Sequence, residues 1–209
     1  MRLFIAICLC RILWLIGKLV GKGTAKPGDI ARAVCPHVLD RLRFDGKIIC
    51  VTGTNGKTSS TLLLKQVLTK CLGAKVGLIG TMENHIGDEV LPTERTTPES
   101  FELQALFARM YKAGCTHVVM EVSSHAIALE RIGGIHYDVA AFTNLTEDHL
   151  DFHKTMDDYC DAKAELFRRC SSQPVGFHQY IGNLLFRLFG SHHRCRALFH
   201  GSGNEPVTI

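Results

Sequence analysis

KIICVTGTNGKTSSTLLLKQVLTKCLG, residues 47–73, carries three successive signals. Lys47 to Gly53 is an apolar run rich in β-branched residues, which reads as a buried strand. Ser59 to Gly73 has helical spacing and stops at a glycine. Between the two lies Thr52-Gly53-Thr54-Asn55-Gly56-Lys57-Thr58-Ser59. Glycines at such a junction let backbone amides approach phosphate oxygens, and the helix N-terminus adds positive potential. Lys57 is placed to reach the terminal phosphates of a nucleotide, and the Thr58 hydroxyl to bind Mg²⁺. Gly53, Thr54, Asn55, Gly56, Lys57, Thr58 and Ser59 are therefore the expected nucleotide-binding residues. The loop departs from the G-x-x-x-x-G-K-[ST] pattern, because Val51 stands at the first glycine position.

Downstream, the same alternation continues. KVGLIGT (75–81) reads as a second strand and ENHIGDEVLP (83–92) as a loop or small hairpin. PESFELQALFARMYKAG (98–114) reads as a helix stopped by Gly114, and THVVMEVSS (116–124) as a third strand. YDVAAFTNL (137–145) follows a polar connection as a fourth strand, and MDDYCDAKAELFRRC (156–170) as a further helix. Strands alternating with helices predict an α/β fold, a parallel sheet flanked by helices on both faces.

The chain of 209 residues has room for one good core plus an appendage. With 46% hydrophobic and 21% charged residues it is too apolar to be disordered. A formal charge of +4 suits anionic ligands, but the basic residues are scattered without interleaved aromatics, so nucleic-acid binding is not expected. The nine cysteines contain no C-x-x-C pair and mostly sit in apolar stretches, as expected of reduced, buried, cytosolic thiols. Leu3 to Val20 is strongly apolar but is interrupted by Arg11 and Lys18. A charge near the middle of a spanning helix costs about 2.5–3.5 kcal/mol. The expectation is an amphipathic helix that packs on the domain or lies on a membrane surface, with a true span the lesser reading. A short helix from about Asp29 through Leu42 is expected after it. Three regions follow: an N-terminal apolar helix and linker (1–46), an ATP-binding core (47–170), and a tail (171–209) with no clear strand–helix pattern.

TGTNGKT after a strand resembles the Mur ligases and their relatives, the folylpolyglutamate and cyanophycin synthetases. RTTPES, MEVSSHAIALERI, FTNLTEDHLDFH and YCDAKAELF resemble, in order and spacing, the central domain of the ligases that act on UDP-N-acetylmuramoyl-L-alanyl-D-glutamate. The likeness runs from about Lys47 to Phe167. It implies a P-loop central domain, ATP and Mg²⁺ as cofactors, and a cytoplasmic enzyme of peptidoglycan biosynthesis. It also implies an activity: an amino acid is joined to a muramoyl-peptide carboxylate through an acyl phosphate.

By the same resemblance Glu121 and His149 match Mg²⁺ ligands alongside Thr58. Lys163 matches a lysine that is carbamylated and acts with Lys57 in catalysis. Thr96, Thr97, Ser123 and Arg131 match positions that hold the muramoyl-peptide substrate, whereas Leu129 stands where close relatives usually carry a glutamine. His125, His136 and His153 are structural or supporting candidates. Read without the resemblance, Lys163 is a solvated helix lysine and the Thr and Ser residues are turn caps.

The likeness breaks at both ends. The leader instead resembles that of the Mur-like subunit of lipid II isoglutaminyl synthase. After about Cys170 the pattern is lost, which leads to the expectation of truncation or a change of reading frame. Two alternatives to an active ligase follow: an inactive or regulatory ATP-binding fragment without its C-terminal ligase domain, and a membrane-surface subunit completed by a partner chain.

Overall fold

The computed structural model describes residues 2–19, 30, 33–35, 44–170 and 175–176. Most of the helix expected from Asp29 to Leu42, whose described positions 30, 33 and 34 are helical, and most of the 171–209 tail lie outside the described residues. A seven-stranded sheet organises the rest, in the order β4-β3-β2-β5-β1-β6-β7. Its strands are β1 (Lys47–Thr52), β2 (Val76–Ile79), β3 (Glu83–Ile86), β4 (Glu89–Pro92), β5 (His117–Glu121), β6 (Val139–Phe142) and β7 (Val175–Gly176). The pairs β1–β5, β1–β6, β2–β5 and β6–β7 are parallel, as the strand–helix alternation predicts. Residues 83–92 form a hairpin, turned by Gly87 at φ 64°, that adds two antiparallel strands at one edge. Val175 pairs with Ala141, so the sheet extends past the point where the sequence pattern fades.

Helices α2 (Lys57–Leu72), α3 (Ser100–Lys112), α4 (Ser124–Ala128), α5 (Leu150–His153) and α6 (Met156–Arg168) follow in chain order after α1 (Arg2–Leu19). The two shortest, α4 and α5, were not legible as helices, since four or five residues cannot display a 3.6-residue period.

Covering both faces makes the central strands apolar throughout, instead of alternating with polar residues. Ile48 and Cys50 of β1, Val118 and Met120 of β5, and Ala140 and Phe142 of β6 face one way. They pack there against Leu103, Phe107 and Met110 of α3 and Cys160, Ala164, Leu166 and Phe167 of α6. Val51, Val119 and Ala141 face the other way, toward Leu62, Leu64 and Leu68 of α2. The i, i+2 alternation of each strand divides its residues between these two layers.

Local signals fix the helix ends. Glu99 and Glu102 form a capping box at the start of α3, and the Thr155 hydroxyl accepts from the Asp158 amide 3.1 Å away to start α6. Helix α1 packs Ala6 and Cys10 against Cys35, Val34 and Phe101, and the Trp14 ring lies 5.8 Å from that of Phe101. It is less amphipathic than expected. Its outer face exposes Phe4, Ile5, Ile12, Leu15, Ile16 and Leu19. Among the described residues, no helix is long and apolar enough to cross a membrane. The eight described cysteines are all free thiols, and Cys71 is exposed instead of buried as expected.

Tyr137 anchors α6 to the sheet: its ring is buried and its hydroxyl donates to the Leu166 carbonyl in the last turn of the helix. That carbonyl is one of the terminal acceptors a helix cannot satisfy internally. Tyr137→Phe keeps the ring and removes the donor. Urea unfolding is expected to show a loss of about 1–3 kcal/mol; an unchanged midpoint would remove the anchoring role.

Candidate nucleotide and metal site

The C-terminal ends of β1, β2, β5 and β6 lie side by side, and in open α/β sheets ligands bind in the crevice beyond such ends. Gly53 to Gly56, Ser123 and His149 sit in connections leaving these ends, Lys57, Thr58 and Ser59 in the first turn of α2, Glu121 at the last position of β5, and Thr96 and Thr97 in the connection after β4, whereas Lys163 lies within α6 and Arg131 after α4. Gly53 leaves β1 at φ 143° and Gly56 begins α2 at φ 80°, both in conformations that L side chains rarely adopt. A Cβ at Gly53 would also lie 1.9 Å from Thr143 Oγ1. The glycine thus serves the close passage of the 143–146 segment across the loop, and this accounts for TGTNGKT tolerating Val51, which is buried in β1.

Three residues after β6 clamp the loop. The Thr54 amide donates to the Asn144 carbonyl (2.9 Å) and the Asn55 amide to Asn144 Oδ1 (2.9 Å). Thr143 Oγ1 donates to the Asn55 carbonyl (2.6 Å), and the Thr146 amide to Thr54 Oγ1 (3.0 Å). The resemblance drew attention to FTNLT but assigned these residues no role; side-chain amides and hydroxyls spaced to meet a turn were the signal available.

Two ammonium groups converge inside the loop. Lys57 Nζ donates to the carbonyls of Gly53 (2.9 Å) and Thr54 (2.8 Å), and Lys163 Nζ donates to the same Gly53 carbonyl (2.9 Å). Lys163 is 1% exposed, so the solvated helix lysine expected from residue type alone is replaced by a fully buried amine. Burial, and then the neighbouring Lys57 charge, push its pKa down to about 7. Lys57 is lowered too, by burial, with Glu121 and Asp148 acting in the opposite sense. Tyr159, one helical turn before Lys163, stacks its ring 4.5 Å from Nζ and places its hydroxyl 3.1 Å from Thr54 Oγ1. Sequence reasoning missed Tyr159, although its i, i+4 spacing to Lys163 was there to read.

Glu121 ends β5 in complete burial. Oε2 accepts from the hydroxyls of Thr58 (3.1 Å) and Thr81 (2.9 Å), and Oε1 from the Thr81 amide (2.9 Å). All these donors are neutral. A hydroxyl beside a buried carboxylate is a hard oxygen pair of the kind Mg²⁺ selects, so Thr58 and Glu121 fit that ion. His149 takes no part in this pairing: it caps α5 in a left-handed conformation (φ 55°), with its ring 4.9 Å from that of His125 and Nε2 3.5 Å from Asp148. Among the described residues, no group of three or more His, Cys, Asp or Glu side chains is arranged to hold a metal ion. His125 and His153 stack with Phe152 beside His149, whereas His136 lies elsewhere, near Phe44 and Ile48.

The four substrate candidates do come together. Thr97 Oγ1 donates to the Glu121 carbonyl (2.9 Å) and accepts from the Ser123 amide (3.1 Å). Arg131 donates to the Thr97 carbonyl (3.4 Å) and pairs with Glu99 (3.1 Å). Thr96 meets Thr81, hydroxyl to hydroxyl, at 3.1 Å. Ser123 also performs the capping role open to it, accepting from the Ala126 amide at 3.2 Å to start α4. Leu129 is more than half exposed. Ser59 lies exposed in the first turn of α2.

A parallel-sheet core with a glycine loop leading into a helix, two lysines inside the loop and a buried carboxylate beside it defines a P-loop type of α/β domain. Residues 51–184 match the model of the Mur ligase middle domain, and the chain belongs to the Mur ligase family. It is 62% identical over 137 residues to the UDP-N-acetylmuramoyl-L-alanyl-D-glutamate--2,6-diaminopimelate ligase of Corynebacterium glutamicum, covering 66% of this chain and 26% of that protein. It is 52% identical over 128 residues to the ligase of the same name from Caldanaerobacter subterraneus, covering 61% and 26%. The chain thus spans about a quarter of the length of the curated relatives it matches. A solved structure of a ligase with the same name aligns with a TM-score of 0.71 at 25% identity, covering 87% of this chain and 37% of that one. FolC of E. coli, solved with DHPP and ADP, shares the fold at a TM-score of 0.59 and 20% identity, covering 78% and 44%.

The lowered pKa of Lys163 has a consequence for stability. Between about pH 7 and the ordinary lysine range, the unfolded chain binds a proton at this position that the folded chain does not, so its contribution to stability rises with pH there. Lys163→Met removes the titration. In CO₂-free buffer the advantage of the methionine variant over the native chain is expected to be largest below pH 7. It should shrink toward pH 10 by no more than about 1.4 kcal/mol per pH unit. A difference constant across that window in urea titrations would contradict the buried, shifted amine.

Proposed function

We propose that residues 47–170 form the ATP-binding unit of an ATP-dependent, amide-forming Mur ligase of peptidoglycan biosynthesis, with residues 1–46 as an apolar helix and linker and 171–209 as a tail whose Val175 and Gly176 extend the sheet. The observation that carries this reading is Lys57 held inside the loop by the Gly53 and Thr54 carbonyls, a positive focus next to the Thr58–Glu121 oxygen pair. In the proposed reaction the γ-phosphoryl group of ATP passes to a carboxylate oxygen of the muramoyl peptide, giving ADP and an acyl phosphate. The amine of the incoming amino acid then attacks the acyl carbon, inorganic phosphate leaves, and the amine loses a proton as the amide forms.

Lys57 neutralises charge on the transferring phosphoryl group, while the loop amides and the start of α2 orient it. Thr58 and Glu121 would hold a Mg²⁺ ion, which would supply further neutralisation, with His149 a candidate second-ion ligand. Lys163 supports the carbamate reading. An amine with a pKa of about 7 has a large neutral fraction at cytoplasmic pH. That neutral form adds to CO₂ with loss of a proton and becomes a carboxylate-like oxygen donor. Thr96, Thr97, Ser123 and Arg131 line the side from which the substrate carboxylate would enter, and Glu99 holds the Arg131 guanidinium in place.

The names of the relatives supply the pair to test: UDP-N-acetylmuramoyl-L-alanyl-D-glutamate and 2,6-diaminopimelate. The chain is expected to bind Mg·ATP in a calorimetric titration. Lys57→Ala should weaken binding about 10- to 100-fold, the cost of a charge-assisted contact, while the melting temperature stays near native. An unchanged Kd would sink the phosphate-site reading. Binding without ADP release in the presence of both substrates would instead favour the regulatory fragment.

The exposed face of α1 favours one addition, a peripheral seat at the cytoplasmic surface of an anionic membrane. Six large apolar side chains share that face, Arg11 is exposed beside them, and the sequence of α1 contains three basic residues and no acidic one. Such a helix gains from apolar burial and from attraction to anionic headgroups together. The chain is expected to sediment with vesicles containing phosphatidylglycerol and to remain in solution with purely zwitterionic ones, Leu15→Glu/Ile16→Glu abolishing the difference. Concentration-dependent self-association without vesicle binding would assign the face to a second copy of the chain instead.

A further inference from the structure

We propose that Thr81 is a positioning residue for the Glu121 carboxylate, setting the plane in which it meets a metal ion; the assignment rests on the Mg²⁺ reading of Thr58 and Glu121 given above. Thr81 follows β2 and is the residue that holds both oxygens of Glu121. Its backbone amide donates to Oε1 and its hydroxyl lies against Oε2, each at 2.9 Å. Two contacts from one residue to the two ends of a carboxylate resist its rotation, and the Thr81 hydroxyl is the shorter of the two contacts to Oε2.

The preceding residue makes this grip feasible. A Cβ at Gly80 would lie 2.7 Å from Glu121 Oε1, so a side chain there would displace the carboxylate from the Thr81 amide. Oε2 is also the oxygen that faces the Thr58 hydroxyl at 3.1 Å, so the Thr81 hydroxyl acts on the same atom that pairs with the P-loop.

A threonine hydroxyl has a single proton. The buried carboxylate claims it, because of the two acceptors in reach of Thr81 Oγ1, Glu121 Oε2 at 2.9 Å and Thr96 Oγ1 at 3.1 Å, the charged one makes the stronger hydrogen bond. The result is a line of oxygens, Thr96 to Thr81 to Glu121 to Thr58, running from the proposed substrate side to the proposed phosphate side. Threonine suits the position because its β-branch restricts χ1, so the hydroxyl is held toward Oε2 at little entropic cost.

The test uses the full chain and a fluorescent ADP analogue, with binding measured in EDTA and across a Mg²⁺ titration. Thr81→Val retains the backbone donor and the branched shape but removes the hydroxyl. It is expected to raise the Mg²⁺ concentration at half-effect roughly 10-fold, as loss of a contact to a charged group predicts, and to leave the EDTA affinity within about twofold. Thr81→Ser should restore the native Mg²⁺ response. Thr81→Ala, which also keeps the amide donor, gives the same readout should the valine variant melt early. A native Mg²⁺ response in both hydroxyl-free variants overturns the assignment to Thr81. So does an equal loss of affinity with and without the ion, the mark of a merely structural residue. A native chain that binds ADP without responding to Mg²⁺ overturns the metal reading beneath it, and the assignment falls for that distinct reason.

Discussion

The carbonyl oxygen of Gly53 accepts hydrogen bonds from two lysine side chains, Lys57 from the start of α2 and Lys163 from the middle of α6. Few arrangements place two ammonium groups on one neutral acceptor, because their mutual repulsion is felt most where water is excluded. Here the repulsion is tolerated because α6 is tied to the sheet at several points besides the lysine. Leu166 and Phe167 are in the core and Tyr137 holds the last turn. The apolar packing of α6 thus constrains the electrostatics of the loop: burial first, and then the Lys57 charge, lower the pKa of Lys163.

That constraint explains why the segment after β6 is so closely bound to the loop after β1. Gly53, whose carbonyl accepts from both lysines, has a φ of 143°, a conformation open to glycine but rarely to other residues. Thr143, Asn144 and Thr146 hold it from outside, through hydrogen bonds to the backbone of Thr54 and Asn55 and to the Thr54 hydroxyl. The parallel pairing of β1 with β6 brings these two connections to the same edge in register, Thr52 opposite Phe142. Sheet topology therefore supplies the precision that the short glycine loop lacks.

Much of this could be read from the sequence, and the portions that could not share a physical cause. β1, α2, β5 and α6 were legible because apolar runs and helical spacing within a single segment report burial directly. The P-loop residues were legible because they are contiguous. The environment of Lys163 was not, since the atoms that desolvate it come from Gly53, 110 positions away, and from the packing of a helix whose own pattern looks ordinary. Thr81 and Tyr159 were missed for the same reason: each acts through a contact with a residue 40 or 105 positions distant. His149 shows the reverse limit. A motif can name a residue, but the left-handed turn that aims its ring toward His125 is set by the local backbone.

Charge separates cleanly across the crevice. On one side, Lys57 is held by neutral carbonyls, so its positive potential remains available to an anion. On the other, Glu121 is buried among hydroxyls and an amide, and among the described residues it has no salt-bridge partner. Neutral donors satisfy a carboxylate's lone pairs without cancelling its charge, which a neighbouring Arg or Lys would do. Thr58 stands between the two halves, adjacent in sequence to Lys57 and in contact with Glu121. A polyphosphate with its counter-ion has this same division of charge, negative along the chain and positive at the metal. The fold meets it with complementary halves placed on two neighbouring strands, β1 and β5, whose pairing sets the distance between them.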